Sequence, residues 1–564
     1  MERGSLEGPR PSPGDYMEFK LFAPHLDEVK LVGSWSGEPV EMHKDDSGTW
    51  RARVDLPDGR HCYKFRLKSL SPFMEGRTVE VTDPQARMVD PENGEASVVV
   101  LGNGQDLTTA PDYVWQHDGV PLPQDDELVI YELHVGEFAW EGDQPGTFAK
   151  LLGKLDYLRD LGVSAVELMP IQAFPGERSW GYLPRHFFAL EPGYGTPEDF
   201  KRLVDECHAR GMRVILDMVF NHSDTEAPLN HIDFYYWYRD SREGELSFGP
   251  KFDYERFDET LGVRPAFRFG LEVAAFWIEE YHLDGYRLDA TAVLDNFEFV
   301  QAVRDLSKEK AGGKPFYIVA EQLPENPAIA TPAGPADGAW HQAFELQVVP
   351  ALCEMGQPAT ALEALQPRNH GYVSPARVVN YLESHDEHTL MRVLAEAGIT
   401  GEQAFRKNKL GATLLFTAVG NPMLYQGQEF GGHRPRDLEI RPLQWELLEH
   451  DYGLHLKEHY AFLARLRRES PALKSEELEP LYLDAEAGVI AYRRGGGEAE
   501  VVVVANLRDQ DQTLTLPFPD GAWRELTFGY DLEVSGAQLS DASLSPRSGE
   551  DFPASSAKVY LRRS

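Results

Sequence analysis

Apolar and polar positions along this chain follow two different periods. Across residues 17–66 the short runs MEFKLFAP, EVKLVGSW, TWRARVDL and CYKFRL alternate, separated by Gly, Pro and Asp. Alternation of period two puts successive side chains on opposite faces of a strand, so this part predicts a small antiparallel sandwich, extended by EASVVVL near Val98. A polar stretch, GNGQDLTTAPDYVWQHDGVPLPQDDE, follows, and then the pattern changes. ELVIYELHV predicts a strand and FAKLLGKLDYLRDLG a helix; SAVELMPI predicts a strand and EDFKRLVDECHARG a helix ending at a glycine. The strand MRVILDMVF, the helix LEVAAFWIEEYH, the strand DGYRLDA, the helix NFEFVQAVRDLSKEK and the strand FYIVAEQ continue the series. Such alternation demands parallel strands covered by helices. The runs LEPLYLDA, GVIAYRR, EVVVVANL, TLTLPF and AKVYLR return to short strands and predict a small antiparallel domain.

The expected fold class is therefore α/β: a (β/α)8 TIM barrel with an N-terminal β-sandwich and a C-terminal antiparallel β domain. The expected limits are a flexible N-terminus at 1–12, the sandwich at 13–102, a linker at 103–125, the barrel at 126–474 and the last domain at 475–564. An open doubly wound sheet is the alternative. No GxGxxG opens a helix after the first strand and no GxxxxGK[ST] occurs, which removes the usual dinucleotide and phosphate-loop cases. In a barrel, side chains at the C-terminal strand ends converge on one mouth.

Composition narrows the partners. The chain has 564 residues, too many for one ordinary domain, and its net charge of −37 would repel a polyanion. Nucleic acid is thus not expected as a partner, whereas a neutral polymer is compatible. The three cysteines, Cys62, Cys207 and Cys353, lie far apart in no metal-like spacing, which fits a reducing cytoplasm. No basic segment leads into an apolar one at the start, and no apolar run reaches membrane-spanning length, so no membrane association is expected.

Three strand ends carry acids: Asp289 in YRLDAT, Glu321 in YIVAEQ and Asp386 in YLESHDEH. They belong to different units, so a barrel would bring them to one face. Cleaving an acetal needs a carboxylic acid to protonate the leaving oxygen and a carboxylate to attack or to position water. Clustered like charges raise at least one carboxyl pKa and keep a proton available near neutrality. Glu321, with the longer reach, is expected to be the acid/base. Asp289 is expected to be the nucleophile, because Arg287 lies two residues earlier on the same strand face and can pair with it. Taken singly, each acid is equally well a helix N-cap; three together, with histidines beside them, point to catalysis. Those histidines are His222 in MVFNHS and His385 in LESHDEH, with His134 in YELHV near another strand end. Neutral imidazoles can hydrogen-bond sugar hydroxyls. There is no HExxH and no tight His–x–His pair at these ends, so neither a catalytic metal ligand set nor a cofactor is expected, while a structural calcium ion is compatible with the sequence but is not placed by it. Trp180 and Tyr182 in ERSWGYLPRHFF are either sugar-stacking rings or core residues.

The stretches DMVFNH (217–222), GYRLDAT (285–291), VAEQ (319–322) and ESHDEH (383–388) occur in that order and resemble the four short motifs of the α-amylase superfamily of retaining α-glucan enzymes. The resemblance spans about 130–470. It implies a double displacement in which Asp289 attacks the anomeric carbon, Glu321 protonates the departing oxygen and then activates the acceptor, and Asp386 grips hydroxyls of the distorted ring. It further implies that Arg287, His222 and His385 line the subsite where the bond breaks, and that Asp217 braces them. FKLFAP and KLVGSWSG look like the glycogen-binding-type module attached to some members. YELHVGEF, LDYLRDLGVSAVELMPI and SWGY are similar to both branching enzymes and maltooligosyltrehalose trehalohydrolases. ESHDEH and VAEQLPENP lean toward the branching type, while FNHS and Gln322 depart from its commoner pattern. The implied partner is an α-glucan such as glycogen, amylose or maltooligosaccharide. The implied reaction is 1,4-α-glucan branching transfer, with an α-glucan hydrolase of the trehalohydrolase, amylase or debranching type as the alternative and a silent glycogen-binding scaffold as a third reading. Trp35, Trp50 and Tyr63 are core aromatics or, less simply, a carbohydrate-stacking face; Tyr235, Tyr236, Trp237 and Tyr238 bind a second glucan segment or pack a lid. Oligomeric state is not set by the sequence.

Overall fold

The computed structural model describes residues 10–11, 16–74, 76–176, 179–239, 248–436, 438–497, 499–510, 512–527, 529–543 and 557–563. Eight parallel strands occupy its centre: β1 (Ile130–Leu133), β2 (Ala165–Leu168), β3 (Arg213–Met218), β4 (Gly285–Leu288), β5 (Tyr317–Ala320), β6 (Gly338–Ala339), β7 (Val379–Asn380) and β8 (Asn421–Tyr425). They pair in the order β6-β5-β4-β3-β2-β1-β8-β7, and a parallel bridge between Trp340 and Val379 closes the ring. The doubly wound alternative is thereby excluded, because an open sheet would leave two unpaired edges.

Strand periodicity sorts the side chains of this ring. Ile130, Ala165, Ile215, Tyr317, Val319, Val379 and Met423 fill an apolar layer inside the barrel, whereas Tyr131, Val166, Leu216 and Tyr286 face the surrounding helices. Two residues further along the same inward face stand Glu132, Glu167, Asp217 and Arg287, and register pairs Glu132 with Glu167 and Asp217 with Arg287. The barrel thus carries a charged storey directly above an apolar one. Gly285 sits beneath it because β4 and β5 come close: a Cβ there would lie 2.7 Å from the Tyr317 carbonyl oxygen.

Helices Phe148–Leu152 and Leu155–Leu161, Pro197–Ala209, Pro265–Tyr281 and Phe297–Ala311 cover the first four crossovers. Among the described residues the β5–β6 connection holds only a 3-10 turn, Pro327–Ile329, so one unit of the barrel lacks its α-helix. Helices Gln342–Leu352 and Gly401–Thr417 cover the next two crossovers, and Asp451–Glu469 follows β8.

N-terminal to the barrel, a four-stranded and a seven-stranded sheet enclose Phe19, Leu31, Trp50, Tyr63 and Phe65. Trp50 and Tyr63 are buried core residues, and Trp35 packs its ring 5.3 Å from that of Phe19. Of residues 1–12, expected to be flexible, Arg10–Pro11 are described and pair as a strand with Met17 and Glu18; the others lie outside the described residues. Residues 103–125 run over the barrel, where Asp205 accepts hydrogen bonds from the Gln116 and His117 N–H groups and Arg213 pairs with Asp125 at 2.7 Å. C-terminal to the barrel, a six-stranded antiparallel sheet and a two-stranded antiparallel sheet enclose Val489, Val502, Val504, Trp523 and Tyr560. Tyr236, Trp237 and Tyr238 are buried and pack the loop after β3, leaving Tyr235 exposed among the four; residues 240–247 of that loop lie outside the described residues. Among the described residues no helix is long and apolar enough to cross a membrane.

Candidate active site

Arg287 is the centre of the charged storey and is completely buried at the end of β4. Its Nη1 donates to both oxygens of Asp217 on β3, at 2.9 Å each, and to Asp289 Oδ1 at 3.0 Å. Its Nη2 lies 2.8 Å from Glu321 Oε2, just past β5. One guanidinium therefore gathers three carboxyl groups, and the Trp340 ring covers it with its centroid 4.5 Å from Cζ.

Local chain geometry aims these groups. Past β4 the backbone turns through Ala290, a non-glycine residue with φ 42°, which points the Ala290 N–H at Glu321 Oε2 at 2.7 Å. Strain at that residue is held in place by Thr291, whose hydroxyl donates to the Glu321 carbonyl at 2.8 Å and to Gln322 Oε1 at 3.0 Å. Asn221 donates to Asp289 Oδ2 at 2.8 Å from the end of β3. Asp386 arrives differently, on the loop after β7. Its N–H donates to Ser384 Oγ at 3.0 Å, and its carboxylate faces Arg436 at 2.8 Å and His385 Nε2 at 3.4 Å.

Burial divides the carboxyl groups. Glu321 is pushed up to about 7, chiefly by burial and against the opposing charge of Arg287, with Asp289 and Asp386 adding repulsion. Burial likewise pushes Asp217 up to about 6, again against Arg287. At Asp386 burial works upward, but His385, Arg287 and Arg436 outweigh it and hold that carboxyl below its ordinary range. The site can thus keep a proton on one carboxyl near neutrality while another stays charged.

The remaining expected residues surround this group. Tyr182 donates its hydroxyl to Asp217 Oδ2 at 2.5 Å and stacks on His385 with ring centroids 4.8 Å apart. Trp180 meets His385 edge-on at 5.7 Å, and His222 Nε2 lies 2.7 Å from the Tyr182 carbonyl. Trp180 and His385 line a cleft together with Glu137, Tyr425 and Arg436. His134 does not join the sugar-facing set. It caps the short helix Val135–Phe138, lies 2.9 Å from the Tyr194 hydroxyl, and is pushed down to about 4 by burial. Among the described residues, no three His, Cys, Asp or Glu side chains are grouped to hold a metal ion.

Five neighbours escaped the sequence reading: Glu132, Glu167, Asn221, Trp340 and Arg436. Glu132 and Glu167 carried a usable signal, an acid inside an otherwise apolar strand, in YEL and VEL. Arg436 carried none, because it sits in a polar loop and meets its partner across fifty residues of chain.

Residues 127–259 and 267–450 match the catalytic domain of α-amylase. The chain belongs to the α-amylase family. It is a glycoside hydrolase or transglycosylase of that superfamily, and two further matches flank its catalytic domain: carbohydrate-binding module 48 (the isoamylase N-terminal domain) at 8–86, and a domain of unknown function at 477–550. A malto-oligosyltrehalose trehalohydrolase of Saccharolobus solfataricus is 36% identical over 284 residues, which is 50% of this chain and 45% of that protein. A 1,4-alpha-glucan branching enzyme GlgB of Rhodopseudomonas palustris (strain HaA2) is 27% identical over 559 residues, 90% of this chain and 75% of that one. Among solved structures, a pullulanase from Anoxybacillus sp. LM18-11 complexed with maltotetraose superposes with a TM-score of 0.80 at 22% identity, covering 100% of this α-amylase-family chain and 88% of its own. At that identity it speaks for the fold alone.

Proposed function

We propose that this α-amylase-family protein is a 1,4-α-glucan branching transferase acting by a retaining double displacement. The observation that carries the retaining chemistry, common to transfer and hydrolysis, is the single buried guanidinium of Arg287 holding Asp217, Asp289 and Glu321 together beneath the mouth where Asp386 stands. Asp289 attacks the anomeric carbon of a bound α-1,4 linkage while Glu321 gives its proton to the departing oxygen, leaving a glycosyl ester on Asp289 and a new chain end. Glu321, now a carboxylate, takes the proton from a 6-hydroxyl as that oxygen displaces the ester, so the configuration is retained and an α-1,6 branch results. A carboxyl with a pKa of about 7 suits both halves of this exchange. Asp386, kept charged by His385 and Arg436, accepts hydrogen bonds from hydroxyls of the distorted ring. Water competes with the 6-hydroxyl, and a glucan held on the acceptor side raises the effective concentration of the hydroxyl.

Similarity to branching enzymes along nearly the whole chain supports transfer. A second reading, hydrolysis of the trehalohydrolase type, is favoured by the higher identity to one trehalohydrolase over half the chain and by similarity of equal extent, along nearly the whole chain, to another. The proposal includes glycogen, amylose or maltooligosaccharide as substrate, and the domain limits expected above. It also places the protein in the cytoplasm, in keeping with three free cysteines. Incubation with amylose separates the two readings. Branching transfer lowers iodine staining with few new reducing ends and creates α-1,6 linkages. Abundant reducing ends, or free trehalose from a trehalose-capped oligosaccharide, would replace it with hydrolysis.

A further inference from the structure

Glu132 has no part in the reaction as written, yet it grips a residue that does. On β1 it is buried in the charged storey, with Oε1 accepting from His385 Nδ1 at 2.6 Å and Oε2 accepting from the His385 backbone N–H at 3.1 Å. The other ring nitrogen, Nε2, lies 3.4 Å from Asp386 Oδ2. A neutral imidazole whose only proton goes to Glu132 would turn a lone pair toward the Asp386 carboxylate. An imidazolium turns an N–H there instead. The contacts thus form a line of three groups, Glu132, His385 and Asp386, running from the barrel floor to its rim.

We propose that Glu132 is a positioning residue: its two-point grip fixes the His385 ring and keeps it doubly protonated, so that Nε2–H serves Asp386 and the substrate hydroxyl. The inference rests on the retaining α-glucan reading above.

The other groups facing the ring are accounted for. Glu167 from β2, Asp217 from β3, and Asp386 and Glu387 on its own loop face it as carboxyls. Arg287 from β4 opposes its charge, and His134 and Tyr182 lie against it as a buried imidazole and a phenol. Glu167 is itself buried, with neither oxygen hydrogen-bonded within the described residues, and burial with the nearby Glu132 raises its pKa well above normal. Burial and Arg287 press His385 toward the neutral form, but Glu132 prevails, helped by Asp386, and the ring is pushed up to about 9.

The test uses the full chain and its Glu132→Gln variant, which keeps an acceptor for Nδ1–H and removes the charge. The substrate is α-maltosyl fluoride, whose fluoride leaves without a proton from Glu321, so the glycosylation step no longer depends on protonated Glu321. Wild-type turnover is expected to persist toward pH 9. The variant should stay within about threefold at pH 5 but fall about tenfold further by pH 8, the loss that a midpoint lowered by about two units gives at that pH. Parallel pH profiles for the two proteins overturn the proposal. A second measurement needs no activity: the titration of [13Cε1]histidine signals in the wild-type protein, with the His385 signal assigned by its loss in His385→Asn. A midpoint well above 6.5 is expected, and one at or below that value overturns the assignment even if Glu132→Gln fails to fold. A wild-type protein that leaves the fluoride and every glucan untouched removes the functional reading, while the titration still decides the protonation of His385.

Discussion

Two sets of buried arginines lie on opposite sides of this barrel. Arg287 meets carboxyl groups: Asp217, Asp289 and Glu321. Arg467 and Arg494, equally buried, meet backbone carbonyls. Arg467 donates to Phe416, Ala418 and Gly420, and Arg494 to Thr417, Ala418, Leu473, Ser475 and Glu477. Several of those carbonyls end the helix Gly401–Thr417, where the helix dipole favours a cation. Burial still pushes Arg467 down to about 10 and Arg494 down to about 9. Arg287 moves the opposite way, because Asp217, Glu321 and Asp289 outweigh its burial. The same side chain therefore ties the barrel to its C-terminal domain by partial charges in one place and organises full charges in another. Only the second arrangement can change with protonation and so take part in chemistry.

Removing one of Arg287's partners is the strongest way to break the comparison. Asp289→Ala should abolish turnover of any α-glucan by at least about a thousandfold. Its unfolding free energy in urea should change by no more than about 1 kcal/mol, because Asp217 and Glu321 still hold the guanidinium. Near-normal turnover would remove Asp289 from the chemistry.

The two kinds of arginine should also differ in how their loss depends on pH. Arg287→Met leaves three carboxyl groups without their cation and should cost about 3–5 kcal/mol at pH 8. The cost should shrink toward pH 5, because the orphaned carboxyls take up protons in the folded state and stability rises as pH falls. Arg494→Met leaves carbonyls without donors and should cost about 1–3 kcal/mol at either pH, with turnover by the folded fraction unchanged. Urea unfolding at both pH values, beside a turnover assay, makes the comparison. An equal pH response in the two variants would erase the distinction.

The smallest effect concerns Glu321, whose pKa is raised from 4.5 in the free state to about 7. The stability that its neutral form contributes is complete below 4.5 and disappears as pH rises through 7. Glu321→Gln should therefore be more stable than the parent at pH 8, by about 1–3 kcal/mol, and no more stable at pH 4. Thermal melts at the two pH values read this directly. A variant less stable at pH 8 would mean that the Arg287 contact outweighs burial. Turnover of glucan should be lost at both.

Much of the architecture was legible because it depends on local period. Short apolar runs, as in YELHV, VELMP, RVILDM and GYRL, announced strands, on which side chains share a face with a period of two, and the intervening helical runs made those strands parallel. The same period showed that Arg287 and Asp289 share a face. It equally shows Glu132 and Glu167 pointing inward, each an acid within an apolar strand. The missing helix between β5 and β6 was less visible, since EQLPENPAIATPAGPADGAW offers turn residues but does not say how soon the chain regains the sheet. For the aromatics the sequence offered either role. Burial assigned Trp50, Tyr63 and Tyr236 to packing, and contact with His385 placed Trp180 and Tyr182 at the mouth.

By itself the sequence determined the order of strands and helices, the three-part layout and the set of acids at strand ends, since each follows from the spacing of side chains along a regular backbone. Only the tertiary structure decided that one guanidinium holds three of those carboxyls, that Arg436 reaches Asp386, and that Glu132 holds His385. These are distances between strands and loops far apart in the chain. They come from ring closure and burial, which also set the pKa of every group inside, and no local pattern encodes either.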